Sequence, residues 1–167
     1  SAYAVVIAKL SGSKDFFIGV PFSNRRDDER KKMFGPFVNI LPLRVGIEER
    51  DTFISLYKKI RLTMLLLHRN QEMPFLDFSR YCTGKRDPKI PGFFQVGFTR
   101  EDPFSLQLDG LECSPVQIRP NGAQMDLFFT YWEEGDVLKY RWEYNSNDFN
   151  KEQIKSWQES FEYILEQ

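Results

Sequence analysis

Two hydrophobic periods run along this chain, and the switches between them mark its elements. Ala2–Leu10 is an almost unbroken apolar run that Ser11-Gly12-Ser13 interrupts, which reads as the end of an apolar helix. Its abrupt start suggests that further chain precedes Ser1. Phe16–Val20 suits a short buried strand, closed by Pro21. Asn24–Lys32 is a dense run of charge, expected as a solvated loop or helix face. Asn39–Ile47 reads as another strand. From Thr52 the period becomes helical, with Phe53, Leu56, Tyr57, Ile60, Met64 and Leu67 on one stripe and Asp51 or Thr52 as the cap. Pro74 ends the segment that follows, and Phe94–Phe98 alternates like a half-buried strand. Met125–Trp132 and Val137–Tyr144 flank Glu133-Glu134-Gly135-Asp136, an antiparallel hairpin with a four-residue loop. Leu138, Tyr140, Trp142 and Tyr144 share one face of its second arm. Asn150 with Gln153 forms a capping box for a last helix, whose stripe is Ile154, Trp157, Phe161 and Ile164. The pattern predicts a mixed α/β domain, with helices packed on a sheet.

Composition narrows the function classes. The chain has 167 residues, enough for one domain or part of one, and its 16 phenylalanines point to aromatic-rich packing or an apolar channel. Its net charge of −1, with both signs interspersed, gives no footprint for nucleic acid. No apolar run reaches the roughly 20 residues of a membrane span, and no cleavable leader is visible, so a cytoplasmic protein is expected. Cys82 and Cys113 cannot build a disulfide framework and are expected as reduced structural thiols. His68 is the only histidine, which excludes two-histidine metal sites. At the end of an apolar helix it reads as a surface or structural residue rather than a catalytic base. Neither G-x-G-x-x-G nor the phosphate-binding G-x-x-x-x-G-K-[ST] occurs. By generic motifs, then, no catalytic or metal residue is visible.

Three stretches carry more information. Phe34-Gly35-Pro36-Phe37-Val38-Asn39-Ile40-Leu41-Pro42-Leu43-Arg44 combines a glycine that frees the backbone, a proline that stiffens it and an amide able to orient a loop or a substrate amide. It resembles the motif (I/V)-G-x-F-V-N-T-x-x-x-R of nonribosomal peptide synthetase condensation domains, with Ile40 in place of the usual Thr. Asn70-Gln71-Glu72-Met73-Pro74-Phe75 is similar to that family's (H/N)-Q-(D/E)-x-P-F-E, with Leu76 where the acid is expected. Gly19-Val20-Pro21-Phe22-Ser23-Asn24-Arg25 resembles its G-x-P-x-x-x-R strand and turn. Weaker likenesses follow in the family's order: Arg86-Asp87-Pro88, Phe94–Phe98, Met125-Asp126-Leu127, and Tyr144-Asn145 through Phe149.

The resemblance implies one half of a V-shaped fold like chloramphenicol acetyltransferase, with a tunnel between two similar halves. The family's H-H-x-x-x-D-G motif lies in the N-terminal half, and one histidine cannot supply it. Residues 1–167 are thus identified as the C-terminal half, without a catalytic residue of its own. The whole domain joins aminoacyl or peptidyl thioesters, held on carrier-protein phosphopantetheine, through an amide bond. Implied partners are the N-terminal half, carrier proteins and an adjacent adenylation domain, with no directly bound cofactor, no nucleic acid and no membrane. Gly35, Phe37 and Asn39 are expected in a loop at the tunnel floor. Gly19, Pro21, Arg25, Arg44, Gln71, Pro74 and Phe75 are expected to be structural. Epimerization, cyclization and ester-forming relatives share these motifs, and a non-catalytic carrier-docking scaffold is the reading from another class.

Overall fold

Glycine sets the first boundary. Helix α1 (Ala2–Ser11) stops where Gly12 takes a φ of 68°, a left-handed cap that costs glycine no Cβ clash. The computed structural model describes residues 1–82, 94–103, 106–114, 116 and 122–167, residues 81 and 82 by backbone alone. Cys82's side chain and Arg86-Asp87-Pro88 fall outside that description. Cys113 is a half-buried free thiol.

Strands β1 (Asp15–Phe22) and β2 (Asn39–Gly46) pair antiparallel from Asp15 opposite Gly46 to Phe22 opposite Asn39. Pro21 does not close β1, contrary to the sequence reading. It sits opposite Ile40, two positions along from the Gly19–Pro42 pair, so both prolines share one ladder parity. In that parity each missing N–H points away from the partner strand and costs no bond between them. Between these strands lies a short helix, α2 (Asp28–Lys32), capped by the Asp27 carboxylate, which accepts the Arg30 N–H at 2.7 Å.

Helix α3 (Phe53–Arg69) opens on a reciprocal cap between Thr52 and Ser55. Asp51 instead accepts from the Ser55 hydroxyl at 2.9 Å and from Lys59 at 2.8 Å. The expected stripe is narrower than its periodicity suggested. Leu56 is buried and Ile60, Met64 and Leu67 pack on the core, but Phe53 and Tyr57 are 48% and 50% exposed. Helix α4 (Phe75–Cys82) follows Pro74, whose carbonyl accepts the Asp77 and Phe78 N–H groups. Strand β3 (Val96–Arg100) starts two residues later than Phe94. Strands β4 (Leu127–Glu134) and β5 (Val137–Tyr144) pair up to Glu134 opposite Val137, so the hairpin loop is Gly135-Asp136 and not four residues. Gly135, with φ 61°, supplies the positive angle that so tight a turn needs. Asn150 and Gln153 cap α5 (Lys151–Glu166) reciprocally, as read from the sequence.

The sheet runs β2-β1-β3-β4-β5, with β3 parallel to both neighbours. On one face Ile18, Val20, Leu43, Val45, Leu127, Phe129 and Trp142 are buried beneath α1, α3 and α5. Phe129 is the centre of this layer. Its ring lies 4.9–5.7 Å from those of Tyr3, Phe98, Tyr140, Trp142 and Phe161. Burial holds the Tyr3 phenol far above its ordinary pKa. Leu138, expected on this face, lies near the hairpin tip and is 45% exposed.

The opposite face is built differently. Gly19 of β1 faces Gly97 of β3, and aromatic rings lie over both. A Cβ on Gly19 would sit 2.9 Å from the Phe94 ring, and one on Gly97 would strike Phe128 and lie 2.8 Å from Met125 Sδ. Here α4 packs, with Phe75 beside Phe94 at 5.5 Å and Phe78 edge-on to Phe17 at 6.0 Å.

Candidate functional site

The β1–β2 connection, residues 23–38, folds back on the turn between α3 and α4. Each of the three sequence motifs supplies a side chain that grips backbone from another segment. Asn39, the first residue of β2, donates both protons of Nδ2: to the Gln71 carbonyl at 2.9 Å and the Met73 carbonyl at 2.7 Å. Gln71 is 4% exposed, and its own amide is also spent. Its Oε1 accepts the Asn24 N–H at 3.1 Å, and its Nε2 donates to the His68 carbonyl at 3.0 Å. A buried amide left unpaired would cost about 1–3 kcal/mol, so these bonds fix Gln71 and the turn together. Asn24 takes a φ of 53°, a left-handed angle that Asn tolerates, and this aims its N–H at Gln71.

Arg25 performs the same task for the arch of the connection. Its Nη1 donates to the Arg30 carbonyl and, at 2.6 Å, to the Met33 carbonyl, while Nη2 reaches the Gly35 carbonyl at 3.0 Å. The guanidinium carbon also lies 4.5 Å from the centroid of the Phe37 ring. Only a planar fork with several donors can meet divergent carbonyls and stack at once. Gly35, with φ 145°, lets the chain turn its carbonyl inward. Beyond this cage the loop tip is apolar and open: Phe34 is fully exposed, and Met33 and Val38 are 53% and 65% exposed.

Three contacts went unforeseen. Arg30 Nη1 meets Glu72 Oε1 at 2.6 Å and its Nε lies 3.2 Å from Asp27, so α2 is tied to the α3–α4 turn. Glu72 beside it raises the Arg30 guanidinium further above its usual value. Arg26 Nη1 donates to the Arg69 carbonyl at 3.2 Å. The charge run at residues 24–32 is therefore more than a solvated face, since three of its arginines brace the corner. Glu72, inside the second motif, was the one available signal, and it names no partner.

The structure thus gathers Arg25, Gly35, Phe37, Asn39 and Gln71 into one hydrogen-bonded corner. Pro21 lies opposite Ile40 next to it. Pro74 starts α4, which carries Phe75 to the Phe94 ring over Gly19. Arg44 stands apart. Five residues along β2 from Asn39, about 17 Å at strand rise, it grips Asp15 through two bonds of 2.9 and 2.7 Å. That bond holds the exposed Asp15 carboxyl below its ordinary pKa.

Chemically the corner offers groups that grip backbone. His68 is exposed, its ring 6.1 Å from Phe22, and no described hydrogen bond engages its imidazole. Among the described residues no group of three metal-ligating side chains comes together, and no helix is long and apolar enough to cross a membrane.

Comparison with known proteins bears on the fold and the family. The chain is 30% identical over 157 residues to malpinin synthetase of Mortierella alpina, covering 93% of this chain and 2% of that protein. It is 27% identical over 169 residues to bacitracin synthase 1 of Bacillus licheniformis, covering all of this chain and 3% of that one. The chain therefore spans only a few hundredths of the length of these curated relatives. Among solved structures it superposes on the starter condensation domain of rhizomide synthetase with a TM-score of 0.74 at 20% identity, covering 98% of this chain and 38% of that one. On a four-domain nonribosomal peptide synthetase bound to AMP and glycine the TM-score is 0.78 at 17% identity, covering 98% and 14%. These likenesses show the fold, a mixed sheet with packed helices as found in condensation domains. The family model described as "Condensation domain" matches residues 1–167, and the chain belongs to that family.

Proposed function

We propose that residues 1–167 are the C-terminal half of a condensation domain that joins two carrier-bound thioesters through an amide bond. The observation that carries this reading is the match of a condensation model to the entire chain, in a sequence whose one histidine cannot supply H-H-x-x-x-D-G. The 38% share of a solved condensation domain supports it. In this reading the two substrates arrive on phosphopantetheine arms of carrier proteins, no cofactor binds directly, and an adenylation domain stands alongside in the cytoplasm. The acceptor amine attacks the donor thioester carbonyl, the thiolate leaves, and the amine loses a proton to a group this half does not hold. This half contributes position: its Gly35–Asn39 loop forms part of the tunnel floor, where prealigned reactants avoid the entropy of meeting.

The test is amide formation from two loaded carrier proteins. The chain alone should give none, and the chain joined to a histidine-bearing N-terminal half should turn over. Turnover by the chain alone at the rate of the joined domain overturns the half-domain reading. Joined protein that hydrolyses, epimerizes or esterifies its substrate instead assigns the chain to one of the family's other reactions. Carrier binding without any turnover by the joined protein assigns it to a docking scaffold.

A further inference from the structure

We propose that Arg25 is the positioning residue of the Gly35–Asn39 loop: it holds the arch in one conformation so that the loop meets the reaction site preformed. The proposal rests on the reading that this loop borders the tunnel. The loop has two attachments of different kinds. Its base is fixed by Asn39, whose amide protons are both committed to the Gln71 and Met73 carbonyls. Its arch, residues 30–37, is held by Arg25, through the Arg30, Met33 and Gly35 carbonyls and the face of Phe37.

Beyond that cage the arch is constrained mainly at its start, where Arg30 pairs with Glu72 and Asp27. Lys31, Lys32, Met33, Phe34, Gly35 and Pro36 are exposed, so no burial holds them. Gly35 adds freedom rather than order, because its φ of 145° is one of many it can adopt. A segment with exposed backbone and few apolar contacts belongs to the low-stability end of a fold, where a single multidentate side chain decides between order and fluctuation. Phe37 gives the cage its direction. Stacking against the guanidinium fixes the ring that alternates with exposed Val38, and so sets which side chain faces outward.

The experiment uses the complete domain, with Arg25→Ala and Arg25→Lys, and reads two quantities in each: amide hydrogen exchange over residues 33–39, and kcat and KM for amide formation. In Arg25→Ala, loop exchange should accelerate by about tenfold or more, as loss of several charge-assisted bonds implies. kcat should fall by a similar factor, with KM for the loaded carriers and exchange in the β4–β5 hairpin unchanged. Methylguanidinium, below denaturing concentration, should restore both. Lysine keeps the charge but not the fork, so Arg25→Lys should behave like Arg25→Ala; it also serves if the alanine variant fails to fold. Loop exchange equal to that of the parent overturns the proposal whatever the turnover. Faster exchange with unchanged kcat leaves Arg25 as the loop's brace but overturns its role in the reaction, and the tunnel reading of the loop falls with it. Absence of amide-forming activity in the parent domain strikes the functional reading alone, since the exchange arm stands without it.

Discussion

Two regions of this molecule are held together by different physics. Under α1 and α5, the β3–β4–β5 part of the sheet coheres through rings: Phe129 touches five aromatic neighbours and is 2% exposed. At the far corner, residues 23–39 and 70–74 cohere through side chains that grip backbone carbonyls, with Phe34 bare at the tip. The ring layer needs mass and shape, and tolerates no gaps. The corner needs donors at particular angles, and buries little. The first region makes the domain fold, while the second gives a loop one shape.

The largest test of that contrast is Phe129→Ala. Emptying the centre of the ring layer should cost about 3–5 kcal/mol in denaturant unfolding. A loss below about 1 kcal/mol would mean that the layer is not the core. Asn39→Ala should cost less, about 1–3 kcal/mol for two amide–carbonyl bonds. Its measurable signature is a lower unfolding midpoint, accompanied by a lower kcat because the base of the loop is loosened. A drop in rate of roughly 2- to 12-fold without loss of stability would instead place the Asn39 amide on substrate. The smallest effect concerns the polar cap of α3. Lys59, then the Glu48 N–H and the Ser55 hydroxyl, hold the Asp51 carboxyl down to about 2. A depressed carboxylate adds stability above its unfolded value near 3.9, and loses it as pH falls toward 2. Parent and Asp51→Asn should therefore differ in melting temperature at pH 6 and converge near pH 2. A constant gap across that range would discard the charge as the cause.

The same contrast explains what the sequence discloses. Ile154, Phe161, Trp142 and Phe129 repeat at helix or strand spacing, so their common burial can be read as a period. Phe53 and Tyr57 fit the α3 stripe equally well and yet are exposed, because the stripe is wider than the sheet edge that covers it. The capping box at Asn150 is legible because donor and acceptor lie three residues apart. Arg25 and Gln71 are legible only as members of motifs. Their partners are peptide groups, carbonyls and the Asn24 N–H, and a peptide group is the same at every residue, so nothing in the sequence points to Met33, Gly35, His68 or Asn24 as partners. Pro21 misled for a related reason: whether its missing N–H matters depends on ladder parity, which only pairing reveals.

The Gly19–Gly97 contact has a consequence for how the sheet assembles. The sheet is two hairpin-like pairs, β1–β2 and β4–β5, joined through β3, and β3 meets β1 at a single register pair. The residues of that pair lie nearly half the chain apart. Each pair forms from local contacts, but joining them means closing a long loop before the ladder gives much back. Neither glycine has a side chain with which to hold the encounter, so the first grip across the seam falls to Phe94 and Phe128, which lie over it. On these grounds the seam is expected to be the last part of the sheet to form, and the first to open when the sheet comes apart.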